Sequence, residues 1–180
     1  MEFDKKLEIE RRFIIAKPAA DDLEQIRREC DSGEICVSEI EQVYLFSLGT
    51  THRVRRRDGG DGARFFETVK RRVDGMSAEE MEREICESEY IRLKEKIRPG
   101  SRPIIKTRYS FYIDNQSYEI DVYPFWKKTA MLELELDDRD RKIEFPKAIR
   151  VIREVTGERK YSNSSMADAP VPERENTNHL

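Results

Sequence analysis

The stretch Leu7-Glu-Ile-Glu-Arg-Arg-Phe-Ile14 alternates apolar and charged residues almost throughout its length. Successive side chains on a β-strand point to opposite faces of the sheet, so Leu7, Ile9 and Phe13, with Ile15 beyond the stretch, share one face. The opposite face carries Glu8, Glu10 and Arg12. The stretch therefore predicts a strand with one apolar face and one charged face.

The same period of two recurs along most of the chain. We predict eight strands, near residues 5–15, 35–48, 51–57, 63–72, 78–86, 103–113, 117–123 and 130–137. The connections are mostly short, and Asp58-Gly-Gly-Asp-Gly62 has the composition of a hairpin turn. Short connections favour antiparallel pairing, so the predicted fold class is α+β, mainly β.

Three further stretches have a helical period. Asp21 and Asp22 can cap a first helix, and Tyr90 and Leu93 mark a second. A third helix is predicted between Pro146 and Gly157, on a stripe formed by Ile149, Ile152 and Val155. Residues 1–168 are expected to form one domain, and residues 169–180, which have little to bury, a disordered tail.

The charged faces of individual strands tend to carry one sign of charge, whereas an ordinary protein surface mixes both signs. Basic side chains recur at Arg53, Arg55, Lys70, Lys106 and Arg108, and acidic ones at Glu8, Glu10, Glu80, Glu82, Glu133 and Glu135. A sheet with one solvated face would explain such alternation strand by strand. Eight antiparallel strands can also close into a barrel, with the charged faces lining its lumen. Burying charges of both signs in that lumen would cost solvation free energy in the absence of a ligand. A polyanion bound with divalent cations would pair with both the basic and the acidic side chains.

The composition excludes several other classes of protein. With 34 basic and 37 acidic residues the net charge is −3, which argues against a general nucleic-acid or polybasic membrane binder. No run approaches the ~20 apolar residues of a spanning helix, and no signal-peptide core follows the start, so a cytoplasmic protein is expected. Three cysteines without a CxxC pair and two histidines argue against disulfide frameworks and zinc sites. Any catalysis would rest on carboxylate, guanidinium and ammonium groups.

The ordered set of charged motifs resembles the CYTH domain of the triphosphate tunnel metalloenzymes. The opening stretch is similar to the family's E-x-E-x-K signature strand, and the resemblance covers about residues 5–168. The further matching motifs are Arg53-Val-Arg55, Phe66-Glu-Thr-Val-Lys70, Glu80-Met-Glu82, Lys106-Thr-Arg-Tyr109, Glu119-Ile-Asp121, Leu132-Glu-Leu-Glu135 and Thr156-Gly-Glu-Arg-Lys-Tyr-Ser-Asn163. Single motifs are generic, but this many in order are specific.

The resemblance implies an eight-stranded antiparallel tunnel that binds a triphosphate with Mg²⁺ or Mn²⁺. The implied metal ligands are Glu8, Glu10, Glu80, Glu82, Glu133 and Glu135, because hard carboxylate oxygens suit these ions. The implied phosphate ligands are Arg12, Arg53, Arg55, Lys70, Lys106, Arg108 and Lys160. Among these, Arg12 and Lys106 are given catalytic roles, in positioning and stabilising the phosphoryl group as it leaves. Glu119 and Asp121 are expected to hold Lys106 and Arg108.

One residue departs from the family pattern and leaves alternatives open. Arg12 stands where the signature has Lys, and its planar guanidinium changes how a phosphoryl group would be placed. The leading function is hydrolysis of inorganic tripolyphosphate or of nucleoside triphosphates. The alternatives are an adenylyl cyclase, a thiamine triphosphatase and a non-catalytic polyphosphate-binding module. Glu2 stands where cyclase-like members have His, which argues against the cyclase alternative. A homodimer is left open.

Overall fold

A computed structural model describes residues 3–177; Met1, Glu2 and residues 178–180 lie outside the described range. Within that range the strands are β1 Asp4–Ala16, β2 Cys36–Leu45, β3 Thr51–Asp58, β4 Ala63–Arg72, β5 Ser77–Ile85, β6 Ile104–Ile113, β7 Gln116–Val122, β8 Thr129–Leu136 and β9 Val151–Glu154. The α-helices are α1 Ala20–Glu29, α2 Glu87–Lys94 and α3 Asn163–Asp168. No helix of the described residues is long and apolar enough to cross a membrane.

Eight of these strands close into an antiparallel barrel through their hydrogen-bonded order. That order runs β5-β4-β3-β2-β6-β7-β8-β1, and β5 also pairs with β1. The eight predicted strands and the mainly-β class are therefore confirmed. The chain divides into two compact units, which are described separately below. The first unit comprises the chain up to Glu8, Ser38–Lys106 and Gly157–Val171, and the second comprises Ile9–Val37, Thr107–Thr156 and the chain from Pro172.

The first unit has an apolar cluster on one face of β2, β3, β4 and β5. Helix α2 covers this cluster through the buried side chains of Tyr90 and Leu93, as its sequence predicted. The ring of Tyr90 lies 5.0 Å from the ring of Phe65. The β3–β4 hairpin closes at the pair Asp58 and Ala63, so the glycine-rich segment between them is the predicted turn. Because α2 covers the apolar cluster, the side chains of the opposite parity, among them Arg53, Thr68 and Glu82, lie on the face that the helix leaves uncovered.

The second unit has the larger apolar cluster. It is formed by the apolar faces of β1, β6, β7 and β8, with Ile26 and Cys30 of the first helical segment packed against it. Helix α1 begins at Ala20, where the backbone N–H of Ala19 donates to Asp22 Oδ2 at 2.8 Å. Asp22 thus caps the helix start, as predicted.

The third predicted helix, between Pro146 and Gly157, is wrong. Residues Val151–Glu154 form β9, which pairs antiparallel with β1. The backbone N–H of Val155 donates to the carbonyl of Arg12 at 2.8 Å, and that of Ala16 to the carbonyl of Arg150 at 2.9 Å. Pairing thus satisfies backbone groups at this edge of β1, and the β-branched residues of the segment suit an extended chain. The prediction failed because four alternating residues are too few to reveal a strand when the apolar residues around them also recur at helical spacing.

The C-terminal segment also differs from the prediction of a disordered tail. Glu173–Asn176 form a 3₁₀ helix, and Asn176 is fully buried. Glu173 Oε1 accepts hydrogen bonds from the backbone N–H groups of Lys128 and Thr129, at 2.5 and 2.9 Å. Glu173 and Asn176 therefore hold this segment against the start of β8. The domain boundary at residue 168 stays a prediction, and residues 178–180 of the predicted tail lie outside the described range.

Candidate functional site

The register of β3, β4 and β5 places the predicted charged residues of the first unit on one face. Arg53 lies opposite Thr68, Thr68 lies opposite Glu82, and Lys70 lies opposite Glu80. Directly opposed residues of an antiparallel pair share a face, and here it is the face that α2 leaves uncovered. We call it the first-unit charged face; its charged members at the predicted positions are Glu8, Arg53, Arg55, Lys70, Glu80 and Glu82.

Acidic and basic groups of the first-unit charged face pair with one another. Lys70 Nζ donates to Glu8 Oε2 at 2.5 Å and lies 3.6 Å from Glu80 Oε2. Arg53 Nη2 lies 3.5 Å from the same Glu80 oxygen. Further along, Arg55 Nη2 donates to Glu82 Oε2 at 3.0 Å. Each predicted carboxylate of this face is therefore neutralised by a predicted phosphate ligand.

Burial and pairing shift the pKa values of these groups in opposite directions. Burial raises the pKa of Glu8, but the ammonium groups of Lys70 and Lys6 outweigh it and lower that pKa to about 2. Burial raises the pKa of Glu80, and the Glu8 carboxylate adds to this rise in spite of Arg53. Burial lowers the pKa of Arg53, yet the neighbouring carboxylates raise it above its ordinary value. The face thus holds charges that are partly desolvated and mutually stabilised.

A cavity of about 280 Å³ opens beside the carboxylates of β5. Glu80 and Glu82 line it, together with Lys6 and the ring of Phe66. The guanidinium of Arg55 lies 5.4 Å from the centre of that ring. The first-unit charged face therefore borders open space large enough for a small polar ligand.

The second unit has its own charged cluster, centred on Arg108. Asp121 binds this guanidinium with both carboxylate oxygens, at 2.6 and 2.7 Å, and Glu133 Oε2 accepts from Arg108 Nη2 at 2.6 Å. Glu119 accepts from Arg108 Nη1. Burial lowers the pKa of Arg108, but the three carboxylates raise it well above its ordinary value. The expectation that Glu119 and Asp121 hold Lys106 and Arg108 is confirmed for Arg108 and stays a prediction for Lys106.

The remaining predicted residues lie on β1, β6, β8 and the segment before α3. On β1, Arg12 Nε lies 3.2 Å from Glu10 Oε1. Arg12 pairs in register with Glu133, and Glu10 with Glu135. Lys106 is buried on β6, two residues before Arg108. Lys160 is exposed in the 3₁₀ helix Arg159–Tyr161, with its ammonium 5.2 Å from the centre of the Tyr161 ring.

Three uncharged residues of the first-unit charged face were missed as site residues. Gln42 and Tyr44 lie opposite Arg55 and Arg53 in the β2–β3 pair, and Thr68 lies between Arg53 and Glu82. The Thr68 hydroxyl donates to Glu82 Oε2 at 2.7 Å. For Thr68 the signal was its position two residues before Lys70 on the same strand. Gln42 and Tyr44 lie on a strand without a predicted site residue, and only the β2–β3 register brings them to this face.

The carboxylates are of the ligand type that a hard divalent cation prefers, but they are not arranged around a common point in this structure. Among residues 3–177, no three Asp, Glu, His or Cys side chains lie close enough together to hold a metal ion. Glutamate oxygens are nevertheless the ligands that Mg²⁺ and Mn²⁺ prefer. Glu8, Glu80 and Glu82 could ligate such an ion once their cationic partners bind an anion instead.

Comparison with solved structures identifies the fold. The crystal structure of the inorganic triphosphatase NE1496 is 26% identical to this chain, covers 92% of it and 96% of its own length, and superposes with a TM-score of 0.57. A second structure of NE1496 gives 25% identity and a TM-score of 0.55, covering 90% of this chain and 98% of its own. PH1819 from Pyrococcus horikoshii OT3 shares the fold, at 19% identity and a TM-score of 0.53 over 74% of this chain and 80% of its own.

No protein-family model and no curated protein matches the sequence. The closed eight-stranded antiparallel barrel nevertheless carries charged side chains along its strands at the positions of the motifs. The chain has the fold of the CYTH domain, that of the triphosphate tunnel enzymes, as its motifs predicted.

Proposed function

We propose that this protein is a metal-dependent triphosphatase that hydrolyses inorganic tripolyphosphate. The observation that carries the proposal is the first-unit charged face, where each carboxylate is paired with a cation at the distances given above. The similarity to an inorganic triphosphatase over 92% of the chain supports the same activity. A polyanion bound with divalent cations is the ligand class that satisfies both sets of charges.

Substrate binding is proposed to proceed by exchange of partners. Phosphate oxygens take over the donors of Arg53, Arg55 and Lys70, which frees the carboxylates of Glu8, Glu80 and Glu82 for the metal. Bound Mg²⁺ or Mn²⁺ would neutralise phosphate charge and acidify the attacking water. The basic side chains hold the triphosphate in line and stabilise the charge that develops as phosphoryl leaves, so no Ser, Cys or His nucleophile is needed.

The predicted charged residues of the second unit are proposed to keep the roles that the motifs imply for them. Glu10, Glu133 and Glu135 are its proposed metal ligands, and Arg12 and Arg108 its proposed phosphate ligands. Lys106, with Arg12, keeps its predicted catalytic role, and Lys160 its role as a phosphate ligand. The choice between Mg²⁺ and Mn²⁺, a cytoplasmic location and a homodimer stay predictions.

The test is phosphate release from tripolyphosphate, ATP and thiamine triphosphate, each with Mg²⁺, with Mn²⁺ and with EDTA. We expect fast metal-dependent release from tripolyphosphate and a loss of roughly 100-fold or more in Glu82→Gln, as for other essential charge-stabilising groups. The matched control is Glu79→Gln, on the same strand but the opposite face, where it pairs with Arg71. It should keep wild-type activity.

Several outcomes would contradict the proposal. Release that persists in EDTA would exclude the metal, and equal loss in Glu79→Gln would show that the effect is structural. Formation of cyclic AMP from ATP would identify a cyclase. Binding of tripolyphosphate without turnover would identify a binding module.

A further inference from the structure

Gln42 lies on the first-unit charged face, although it carries no charge. It is directly opposite Arg55 in the β2–β3 pair, and Tyr44, two residues on, is opposite Arg53. The intervening residue Val43 belongs to the apolar cluster under α2. Because side chains alternate along a strand, the amide of Gln42 is on the same face as the two guanidinium groups.

The amide of Gln42 is fully buried and only partly satisfied. Its Nε2 donates to the hydroxyl of Tyr44 at 2.9 Å. Its Oε1 has no hydrogen-bond partner within residues 3–177, and neither does Nε of Arg53, which lies on the same face. Buried polar atoms are nearly always paired, since an unpaired one loses its hydration without compensation. An unpaired oxygen alone does not distinguish Gln42, because Gln116 Oε1 has no partner within the described residues either. What distinguishes Gln42 is that its amide shares the first-unit charged face with an unpaired guanidinium nitrogen, where one ligand can complete the hydrogen bonding of both.

Gln116 shows what a buried structural glutamine of this protein does. Its Nε2 donates to the backbone carbonyls of Ser117 and Glu135, both at 2.8 Å, and so joins two neighbouring strands. Gln42 instead bonds to a side chain of the first-unit charged face. A role limited to holding strands together therefore explains Gln116 but not Gln42.

The neighbouring charges determine which end of the amide faces a ligand. Arg53 and Arg55 select an anion, whose oxygens accept hydrogen bonds. Rotation about the last side-chain torsion of Gln42 exchanges its oxygen and nitrogen, and the Tyr44 hydroxyl can either accept from Nε2 or donate to Oε1. When an anion is bound, donation by Tyr44 to Oε1 leaves the amide N–H groups directed at the anion.

We infer that Gln42 is a further substrate-contacting residue, whose amide donates a hydrogen bond to a phosphate oxygen of the substrate held by Arg53 and Arg55. The inference rests on the proposed function and extends its phosphate-binding set by a neutral donor. The acidic and basic groups of this face already balance one another. A neutral donor adds a directional hydrogen bond to phosphate without the desolvation cost of a further buried cation.

The experiment measures binding of tripolyphosphate in EDTA by titration calorimetry, together with the melting temperature. Wild type is compared with Gln42→Met, which keeps the size and removes the amide, and with Gln116→Met as the matched control. A hydrogen bond to a charged group corresponds to a factor of roughly 10–100 in affinity. We expect Gln42→Met to bind tripolyphosphate at least about tenfold more weakly, and Gln116→Met to melt earlier with an affinity within about twofold of wild type.

The outcomes separate this inference from the proposed function. Wild-type affinity in a folded Gln42→Met overturns the role of Gln42 and leaves the triphosphatase proposal intact. Absence of binding to wild type in EDTA overturns the inference, because the contact proposed for Gln42 needs no metal, and the triphosphatase proposal is then decided separately by the phosphate-release assay. If Gln42→Met does not fold, Gln42→Glu takes its place, since it keeps the shape and sets a carboxylate against the phosphate. Weaker binding by Gln42→Glu supports the inference, and unchanged binding overturns it.

Discussion

Arg12 shares strand β1 with the carboxylate to which it is paired. Its Nε lies 3.2 Å from Glu10 Oε1, and its backbone N–H donates to Thr156 Oγ1 at 3.0 Å. It also lies opposite Glu133 in the β1–β8 pair. A guanidinium can keep a carboxylate contact through one nitrogen while presenting others to phosphate, which a lysine ammonium does with less directionality. Arg12 is therefore compatible with the charge pattern of the signature strand.

Substitution of Arg12 separates charge from geometry. Arg12→Gln should lower kcat/KM for tripolyphosphate by about 100-fold or more, because a positioned charge-stabilising donor is lost. Arg12→Lys keeps the charge and should stay within about tenfold of wild type, with most of the change in kcat. Steady-state kinetics with saturating Mg²⁺ measures both.

Arg11 provides the control for this pair of variants. It lies on the opposite face of β1 and binds Glu154 through two hydrogen bonds, at 2.8 and 2.6 Å. Arg11→Gln should lower the free energy of unfolding by up to about 1 kcal/mol, as for partly exposed ion pairs, and leave kcat/KM unchanged. Equal kinetic losses in Arg11→Gln and Arg12→Gln would contradict the role given to Arg12.

At the scale of elements, the C-terminal segment fixes the start of β8. Glu173 Oε1 also accepts from the hydroxyl of Thr129 at 3.1 Å, and Asn176 Nδ2 donates to that hydroxyl at 2.8 Å. Burial raises the pKa of Glu173, but the N–H groups of residues 127–129 outweigh it and lower the pKa below 4.5. The folded state thus favours the ionised carboxylate.

Glu173→Gln should cost about 2 kcal/mol of unfolding free energy near neutral pH, because a charge-assisted set of hydrogen bonds is weakened. The folded-state pKa lies below the unfolded value of 4.5, so this contribution is present above about pH 4.5 and is lost as the pH falls through the folded-state pKa. Urea unfolding at neutral and acidic pH measures the difference. Glu144→Gln, at a side chain that is 82% exposed, is the control and should change little. If the difference in unfolding free energy between wild type and Glu173→Gln became larger as the pH falls, the role given to the ionised carboxylate would be wrong.

At the scale of the whole molecule, charge balance explains how so many charges can be buried. The chain has 34 basic and 37 acidic residues, and the charged clusters of both units are internally paired. Burying such pairs costs solvation free energy, and the attraction between the paired charges offsets only part of that cost. A ligand that brings both phosphate and divalent metal improves this balance and should stabilise the folded state.

Tripolyphosphate with Mg²⁺ should therefore raise the melting temperature more than either alone. At a free ligand concentration of 100 times Kd the stabilisation is about 2.7 kcal/mol. For a chain of this size that corresponds to roughly 5–10 °C, measured by differential scanning fluorimetry. Sodium chloride at matched ionic strength is the control. An equal shift with sodium chloride would show screening rather than binding.

The strands and the charged faces could be predicted from the sequence because their pattern is local. Alternation at Leu7–Ile14 and in the other long strands depends only on the period of two, and the segregation of charge follows from it. The ordered motifs then identified the fold. The same local reasoning placed Tyr90 and Leu93 on a helix that covers an apolar face.

What only the tertiary structure decided depends on contacts between residues that are distant in sequence. The segment Val151–Glu154 is a strand because the edge of β1, more than a hundred residues earlier, offers it backbone partners. Glu173 is fixed by N–H groups at the start of β8, which composition does not reveal. Gln42 has an unpaired buried oxygen only once its strand is paired and covered. Period and composition determine which face a side chain takes, whereas the partner it finds there is determined by the register of the sheet.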